Sequence, residues 1–442
     1  MERPQKNLTQ LFIPIALETF FFMFTGMAGT LMLSSLNDQA VGAIGTANTY
    51  ISIFIIMFNI VSSGMIAVMT QYIGAGQEGI AYQARQLGAV FNAILGILLS
   101  AILFFFSGSI LEVIGVAPLL MEYAKTYLRI VGGCCFLNAL IPIFSSYLRA
   151  FGYTRQPLAA TITANVLNLA LNALFLFVCK WGVAGVALAT VISRVVNLLI
   201  VLVLSQLLIH AGDDPTRQKN STVFRQIIRV GLPAACETAL YNLAMTFTIR
   251  FLNQMDAEGM NVTARSYTMQ ITNFSYCIGA ALAQANAILT GWHVGAEEYE
   301  ACDRGTRKAA IIGVIVAIIL ESLFALSGGM IMKLFTDDPA MIALVRKLLA
   351  IDIALEIGRV TNLVYGQALK TSGDAIFPTV IGAIFMYLCM VGGTWFFGIH
   401  MGLLVVGAYI GMASDECVRA ICVYIRWKSG RWKAKGFISA KQ

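Results

Sequence analysis

The chain has 442 residues, 58% of them hydrophobic and 12% charged, with a mean hydropathy of +0.77, a balance that excludes an ordinary soluble domain. The formal net charge of +7 does not by itself point to nucleic acid, because polytopic membrane proteins concentrate Lys and Arg in cytoplasmic loops. Nine cysteines, an odd number, lie mostly in apolar runs with no CxxC and no zinc-type histidine spacing, and they read as structural thiols.

A span needs about 20 mostly apolar residues to cross the hydrocarbon layer. After a short polar lead with Arg3 and Lys6, the first apolar run is too long for a signal-peptide core and is expected to be a retained span. The pattern predicts six spans near Leu8 to Leu33, Ala47 to Tyr72, Leu87 to Phe106, Tyr123 to Phe144, Pro157 to Val178 and Val183 to Leu208. A polar connector follows, carrying Asp213, Asp214, Pro215, Arg217 and Lys219. Six more spans are predicted near Phe224 to Leu252, Tyr267 to Trp292, Ala309 to Phe335, Ile342 to Leu369, Ile376 to Phe397 and Gly402 to Trp427.

The two sets are copies. IPIALET at Ile13 to Thr19 returns as LPAACET at Leu232 to Thr238, matching Pro14 to Pro233 and Glu18 to Glu237 at an offset of 219. Gly74-Ala75 matches Gly295-Ala296, and Leu148, Gly152 and Pro157 match Leu369, Gly373 and Pro378, all at 221. Proline and a carboxylate are both costly inside apolar segments, so their recurrence at matched places argues for duplication. The expected fold is an all-α membrane protein of twelve transmembrane helices in two six-helix bundles. Residues 1–209 form the first bundle, 210–222 a cytoplasmic connector, 223–427 the second bundle and 428–442 a basic cytoplasmic tail. Because each copy has an even number of spans, a pseudo-twofold axis along the membrane normal should relate the bundles.

Segments assigned to the N-terminal side hold roughly nineteen of the thirty basic residues and the opposite loops roughly six, which places both termini in the cytoplasm. The expected location is the cell inner membrane. The tail mixes Trp427 and Trp432 with basic residues, as an interfacial anchor would, and nucleic acid is not an expected partner. No GxxxxGK[ST] loop is present, so energy is expected from an ion gradient or the substrate's own gradient. No HExxH or GxSxG motif supports an intramembrane enzyme.

The chain resembles the multidrug and toxic compound extrusion (MATE) transporters, in a bacterial branch, nearly end to end. The likeness rests on the Pro14 and Pro233 segments, on QYIGAGQ at Gln71 to Gln77, on LRAFGYTRQP with LKTSGDAIFP, and on GVAGVALATVISR at Gly182 to Arg194. It also covers Leu355 to Asp374 and Asp415 to Trp432. The resemblance implies a V-shaped pair of bundles that exports amphiphilic, often cationic compounds in exchange for H+ or Na+, with no other cofactor. Family members often carry an aspartate fifteen residues after the first-span proline and another in the fifth span. Here those places are Gly29 and Asn172, which cannot titrate.

Ionisable groups inside spans are therefore the candidates for cation coupling. Glu18 and Glu237 lie about ten residues into their spans, roughly 15 Å deep at 1.5 Å per residue. Each is either a coupling group or a protonated partner for a carbonyl freed by the preceding proline. Asp352, Glu356 and Arg359 share one helical face, and Asp415, Glu416 and Arg419 stand at a similar depth. Glu356 and Asp352 are read as coupling acids, with Arg359, Asp415 and Arg419 as charge partners; fixed pairs that only lock the bundle are the competing reading. Substrate-contacting candidates are Tyr241, Asn242, Tyr267, Gln270, Asn273, Gln284, Asn59 and Asn172, since Asn and Gln facing lipid are unfavourable. Expected partners are small-molecule substrates and the lipid bilayer, and the expected state is a monomer. A lipid-linked saccharide flippase of the same superfamily is the alternative, kept open by Arg194, Arg250 and Arg359 as elements of a basic cavity.

Overall fold

The computed structural model describes residues 6–34, 38–114, 116–255 and 259–438, so Arg3 and Lys441 lie outside the described residues. Among the described residues the chain is helical, with no strand. It divides into two compact units, one built from Ile13–Leu232 and the other from Pro233 onward together with Asn7–Phe12.

In the first unit, α1 (Leu8–Ser34), α2 (Asp38–Gly74) and α3 (Glu78–Phe105) are followed by a short α4 (Ser107–Ile114). The fourth span was expected to be one helix over Tyr123 to Phe144. Instead α5 (Pro118–Tyr127) runs into a wider π-type turn at Leu128–Gly132, and α6 (Phe136–Ala150) leaves it at 43°. Gly133 stands at this break with no side chain, which lets the Phe104 ring of α3 close against it. α7 (Arg155–Ala173), extended by a π turn at Leu174–Val178, and α8 (Gly182–Leu208) complete the six rods.

The second unit has α9 (Asn220–Met255), α10 (Met260–Gly295), α11 (Tyr299–Met332), α12 (Pro339–Thr371), α13 (Ile376–Phe385) with π turns to His400, and α14 (Leu404–Lys428). Several observed helices outrun the expected spans at the ends, where polar residues add turns beyond the apolar core. Gly152 and Gly373 both sit in left-handed backbone, at φ +82° and +94°, so the repeated turn after α6 and after α12 needs glycine in both copies.

The rods turn small and polar residues inward and large apolar residues outward, as helices in lipid do. On α3 the buried face reads Gly88, Asn92, Gly96 and Ser100, while Ile94, Ile97 and Phe105 are exposed. Asn92 Nδ2 donates to the Phe58 and Ala139 carbonyls, stitching α3 to α2 and α6.

Seven helices are individually long and apolar enough to cross a membrane, and the bent α5–α6 pair makes an eighth. These eight include all six rods of the first unit. The other four, α9, α10, α12 and α14, belong to the second unit and carry Glu237, Arg265, Asp352 with Glu356, and Asp415 with Glu416. Their polarity is what builds the site.

The tail departs from expectation. Trp432 is 1% exposed, stacks on Trp427 at 4.1 Å and donates its indole N–H to the Trp427 carbonyl. Trp427 in turn donates to Asp303 Oδ1 at 2.7 Å. Both indoles are packed inside the second unit, so they are not the interfacial anchors their composition suggested. Shape fit and two satisfied N–H groups outweigh the interfacial preference of tryptophan.

Candidate functional site

α12 packs against α10, α11 and α14 and is the central rod of the second unit. Glycine makes that centrality possible. A Cβ at Gly358 would stand 2.7 Å from the Cys417 amide nitrogen, so α12 and α14 meet backbone to backbone. That approach sets Arg359 beside Glu416, with Nε 3.7 Å from Oε1. Arg359 also donates from Nη1 to Glu356 Oε2 at 2.8 Å. Arg419 contacts Asp415 Oδ2 at 2.8 Å and Glu416 Oε1 at 2.9 Å, and Asn362 Nδ2 donates to Glu416 Oε2 at 3.1 Å. The result is a line of alternating charge: Asp415, Arg419, Glu416, Arg359, Glu356.

The middle of this line, Arg419, Glu416 and Arg359, forms one wall of a cavity of about 430 Å³ within the second unit. Three carboxyls (Glu237, Asp352, Glu416) and three cations (Arg359, Lys370, Arg419) face it. Between them lie Tyr241, Tyr276 and Tyr409 and four methionines, Met245, Met269, Met386 and Met412. Methionine and tyrosine re-pack around guests of different shape, which suits an amphiphile.

Behind the wall the acids outnumber the bases. Asp352 is 2% exposed and its Oδ2 has no hydrogen-bond partner. Glu356 is fully buried with Oε1 unpartnered. Glu321, on α11, is also fully buried with neither carboxyl oxygen in full hydrogen-bond geometry, and the Ser275 hydroxyl of α10 is the polar group that faces it. Leaving a buried polar group unmatched costs about 1–3 kcal/mol, more for a charge, so these oxygens call for a proton or a cation. Five carboxyls (Glu321, Asp352, Glu356, Asp415, Glu416) stand against two guanidinium groups. Counting buried Arg265, whose Nη2 contacts Met245 Sδ, still leaves the acids in excess.

The duplicated glutamates are held differently. Lys370 Nζ lies 2.7 Å from Glu237 Oε2, and Arg149 Nη2 lies 2.7 Å from Glu18 Oε2. The Thr161 hydroxyl donates to Glu18 and that of Thr379 reaches Glu237 at 3.5 Å. Arg149 and Lys370 are one repeat apart at an offset of 221, so each unit carries the same pair. By position in the sequence alone, either base would pass for loop charge. They lie in the last turns of α6 and α12 and reach back into the bundle.

Of the expected substrate contacts, Tyr241 and Asn273 line the cavity. Asn242, Gln270, Gln284 and Asn59 are exposed on their helices and are not part of it. Tyr267 packs on Phe335 at 5.6 Å between centroids. Asn172 is buried in the first unit, donating to Asn168 Oδ1, while Asn168 donates to Ser193 Oγ. Asn168 thus ties α7 to α8, and Asn172 supports it from one turn along the same helix. The basic cavity required by a flippase is not formed in the second unit, because Arg359 is neutralised by Glu356 and the lining charges balance. Arg250 is exposed on α9, and Arg194 is on α8 of the first unit.

Glu321 is the residue that sequence reasoning missed. Its span has a mean hydropathy of 2.6, the most apolar of the seven, and a lone carboxyl inside such a run was the available signal.

Twelve rods in two duplicated units, the second of which holds a cavity of paired charges, are the framework of a membrane transport protein. The comparisons agree. The MatE family profile matches twice, over residues 14–174 and 233–396, once per repeat. The transporter YisQ of Bacillus subtilis strain 168 is 33% identical over 97% of this chain and 95% of its own length. The probable multidrug resistance protein NorM of Thermotoga maritima is 23% identical over 99% and 95%. Among solved structures, a MATE transporter in the bent conformation matches with a TM-score of 0.87 at 19% identity, covering 97% and 95% of the two chains. An outward-facing multidrug resistance MATE family transporter of the MOP superfamily matches at 0.86 and 20%, with the same coverage. The chain belongs to the MatE family of membrane transporters.

Proposed function

We infer that this transporter is a secondary exporter, working by alternating access, that expels amphiphilic, chiefly cationic drugs or metabolites in exchange for a proton or sodium ion. The observation that carries the reading is the excess of carboxyls over guanidinium groups in and behind the cavity wall of the second unit. Those acids must take up positive charge when the cavity is empty. A cationic guest in the cavity supplies that charge instead, so guest and coupling cation compete, which is the requirement for exchange. Asp352, Glu356 and Glu416 are the coupling acids in this reading, with Arg359 and Arg419 as partners. Glu18 and Glu237, each already held by a base, serve as fixed pairs. The relatives named as multidrug resistance proteins support the substrate class.

The protein acts as a monomer in the cell inner membrane, with both termini in the cytoplasm and no cofactor beyond the coupling ion. The test is efflux of ethidium, a fluorescent lipophilic cation, in everted vesicles with an imposed pH or sodium gradient. Acceleration by one gradient is expected. Indifference to both would overturn the reading.

A further inference from the structure

Glu321 lies on α11, which packs against α10 and α12. It does not line the cavity. The groups that face it are Ser275 of α10 and Asp352, Glu356 and Arg359 of α12, with Cys277 of α10 beside Glu356. The single cation in that set, Arg359, already gives Nη1 to Glu356 and turns Nε to Glu416. Four buried carboxyl oxygens here lack a partner in full hydrogen-bond geometry, both of Glu321, Oδ2 of Asp352 and Oε1 of Glu356, and the Ser275 hydroxyl faces Glu321. With Ser275 they belong to three packed helices, α10, α11 and α12, and make one buried polar cluster. Asp352 belongs to this cluster and also to the cavity lining, so it is the link between the two.

Resting on the reading that the coupling cation binds in the second unit, we propose that Glu321 is a proton-carrying site behind the cavity, exchanging its proton with the cavity through Asp352. Geometry speaks against a divalent ion. Such an ion needs several oxygens converging on one point, and among the described residues no three acidic, thiol or imidazole side chains gather closely enough to hold one. A proton needs one acceptor at a time. The step is a transfer from the carboxylic acid of Glu321 to the carboxylate of Asp352, leaving a carboxylate on α11 and an acid at the cavity wall. From there the proton leaves to water in the cavity. A cation arriving in the cavity stabilises the Asp352 carboxylate and so draws the proton off.

The test uses the full chain in lipid nanodiscs and records infrared difference spectra as pH is cycled, in KCl and then in NaCl. The carbonyl stretch of a protonated carboxyl should vanish on raising the pH, be absent in Glu321→Gln, and be unaffected by exchanging KCl for NaCl. In Asp352→Asn the band should persist but respond to a pH jump at least tenfold more slowly. Glu321→Gln keeps the shape and the neutral state of the acid, and Glu321→Leu, equally uncharged, should lose the same band. A band left unchanged in both Glu321 variants overturns the assignment. So does a band removed by NaCl at fixed pH, which would make the cluster a sodium site. Transport in everted vesicles separates the two readings: a wild type indifferent to both gradients defeats the exporter, whereas the carboxyl band alone decides Glu321.

Discussion

Lys370 closes on Glu237 at 2.7 Å, and one repeat earlier Arg149 closes on Glu18 at the same distance. The ancestral unit therefore held an acid four residues after a helix-bending proline and tied it to a base at the end of its fourth span. Both members are largely buried, 13% and 17% exposed for Lys370 and Glu237, so neither tolerates losing the other. Lys370→Ala should cost about 3 kcal/mol by leaving Glu237 unmatched. The double variant Lys370→Met with Glu237→Gln should recover more than half of that loss. Thermal unfolding of the purified single and double variants measures both.

Gly358 fixes how near α14 comes to α12. Gly358→Ala must push the Glu416–Cys417 backbone away, because the added carbon would stand 2.7 Å from Cys417 N. The expected cost is about 1–3 kcal/mol, together with loss of the Arg359–Glu416 contact. Gly305→Ala on α11 has open space around it and should instead stabilise by up to about 1 kcal/mol. Opposite shifts in melting temperature are the signature.

Gly76 and Glu297 occupy the same left-handed place in the two copies, at φ +73° and +61°. Only the first has the residue suited to it. Gly76→Ala should destabilise by about 1 kcal/mol, since a side chain there meets the left-handed penalty. Glu297→Ala should be nearly neutral, because Glu297 already bears that penalty. Equal losses at the two sites would contradict the repeat.

Asp214 anchors the connector by accepting the Gly79 amide at 2.7 Å and the Thr216 amide at 2.9 Å. Burial raises its carboxyl, but the Thr216 and Gly79 hydrogen bonds and the Arg217 charge together outweigh that and hold it below its ordinary 3.8. A depressed native value means this stabilisation is complete above pH 3.8 and fades as pH falls through the native value. Hydrogen exchange at the Gly79 amide should therefore show acid-dependent loss of protection in the wild type. Asp214→Asn should show reduced protection with no such pH step.

Hydropathy and the internal repeat were enough to read twelve rods and their duplication, because long apolar runs and costly prolines leave strong marks. What they hid was partnering. Arg149 and Lys370 sit at span ends and were indistinguishable from loop charge until α6 and α12 were seen beside Glu18 and Glu237. The Arg359–Glu416 contact depends on Gly358, and a glycine in an apolar run does not announce which backbone it will meet. Asn172, an inviting polar residue, gives its amide to Asn168 one turn back on its own helix. Glu321 was visible but drowned in the most apolar span of the chain.

The central claim is that the coupling cation binds among the acids of the second unit. It is tested most directly by gradient-driven ethidium efflux in everted vesicles carrying Glu356→Gln or Glu18→Gln. The account predicts that Glu356→Gln loses at least tenfold of the gradient-dependent rate while still binding ethidium, and that Glu18→Gln, though less stable, remains coupled. Full gradient dependence in Glu356→Gln, with coupling lost in Glu18→Gln, would contradict it.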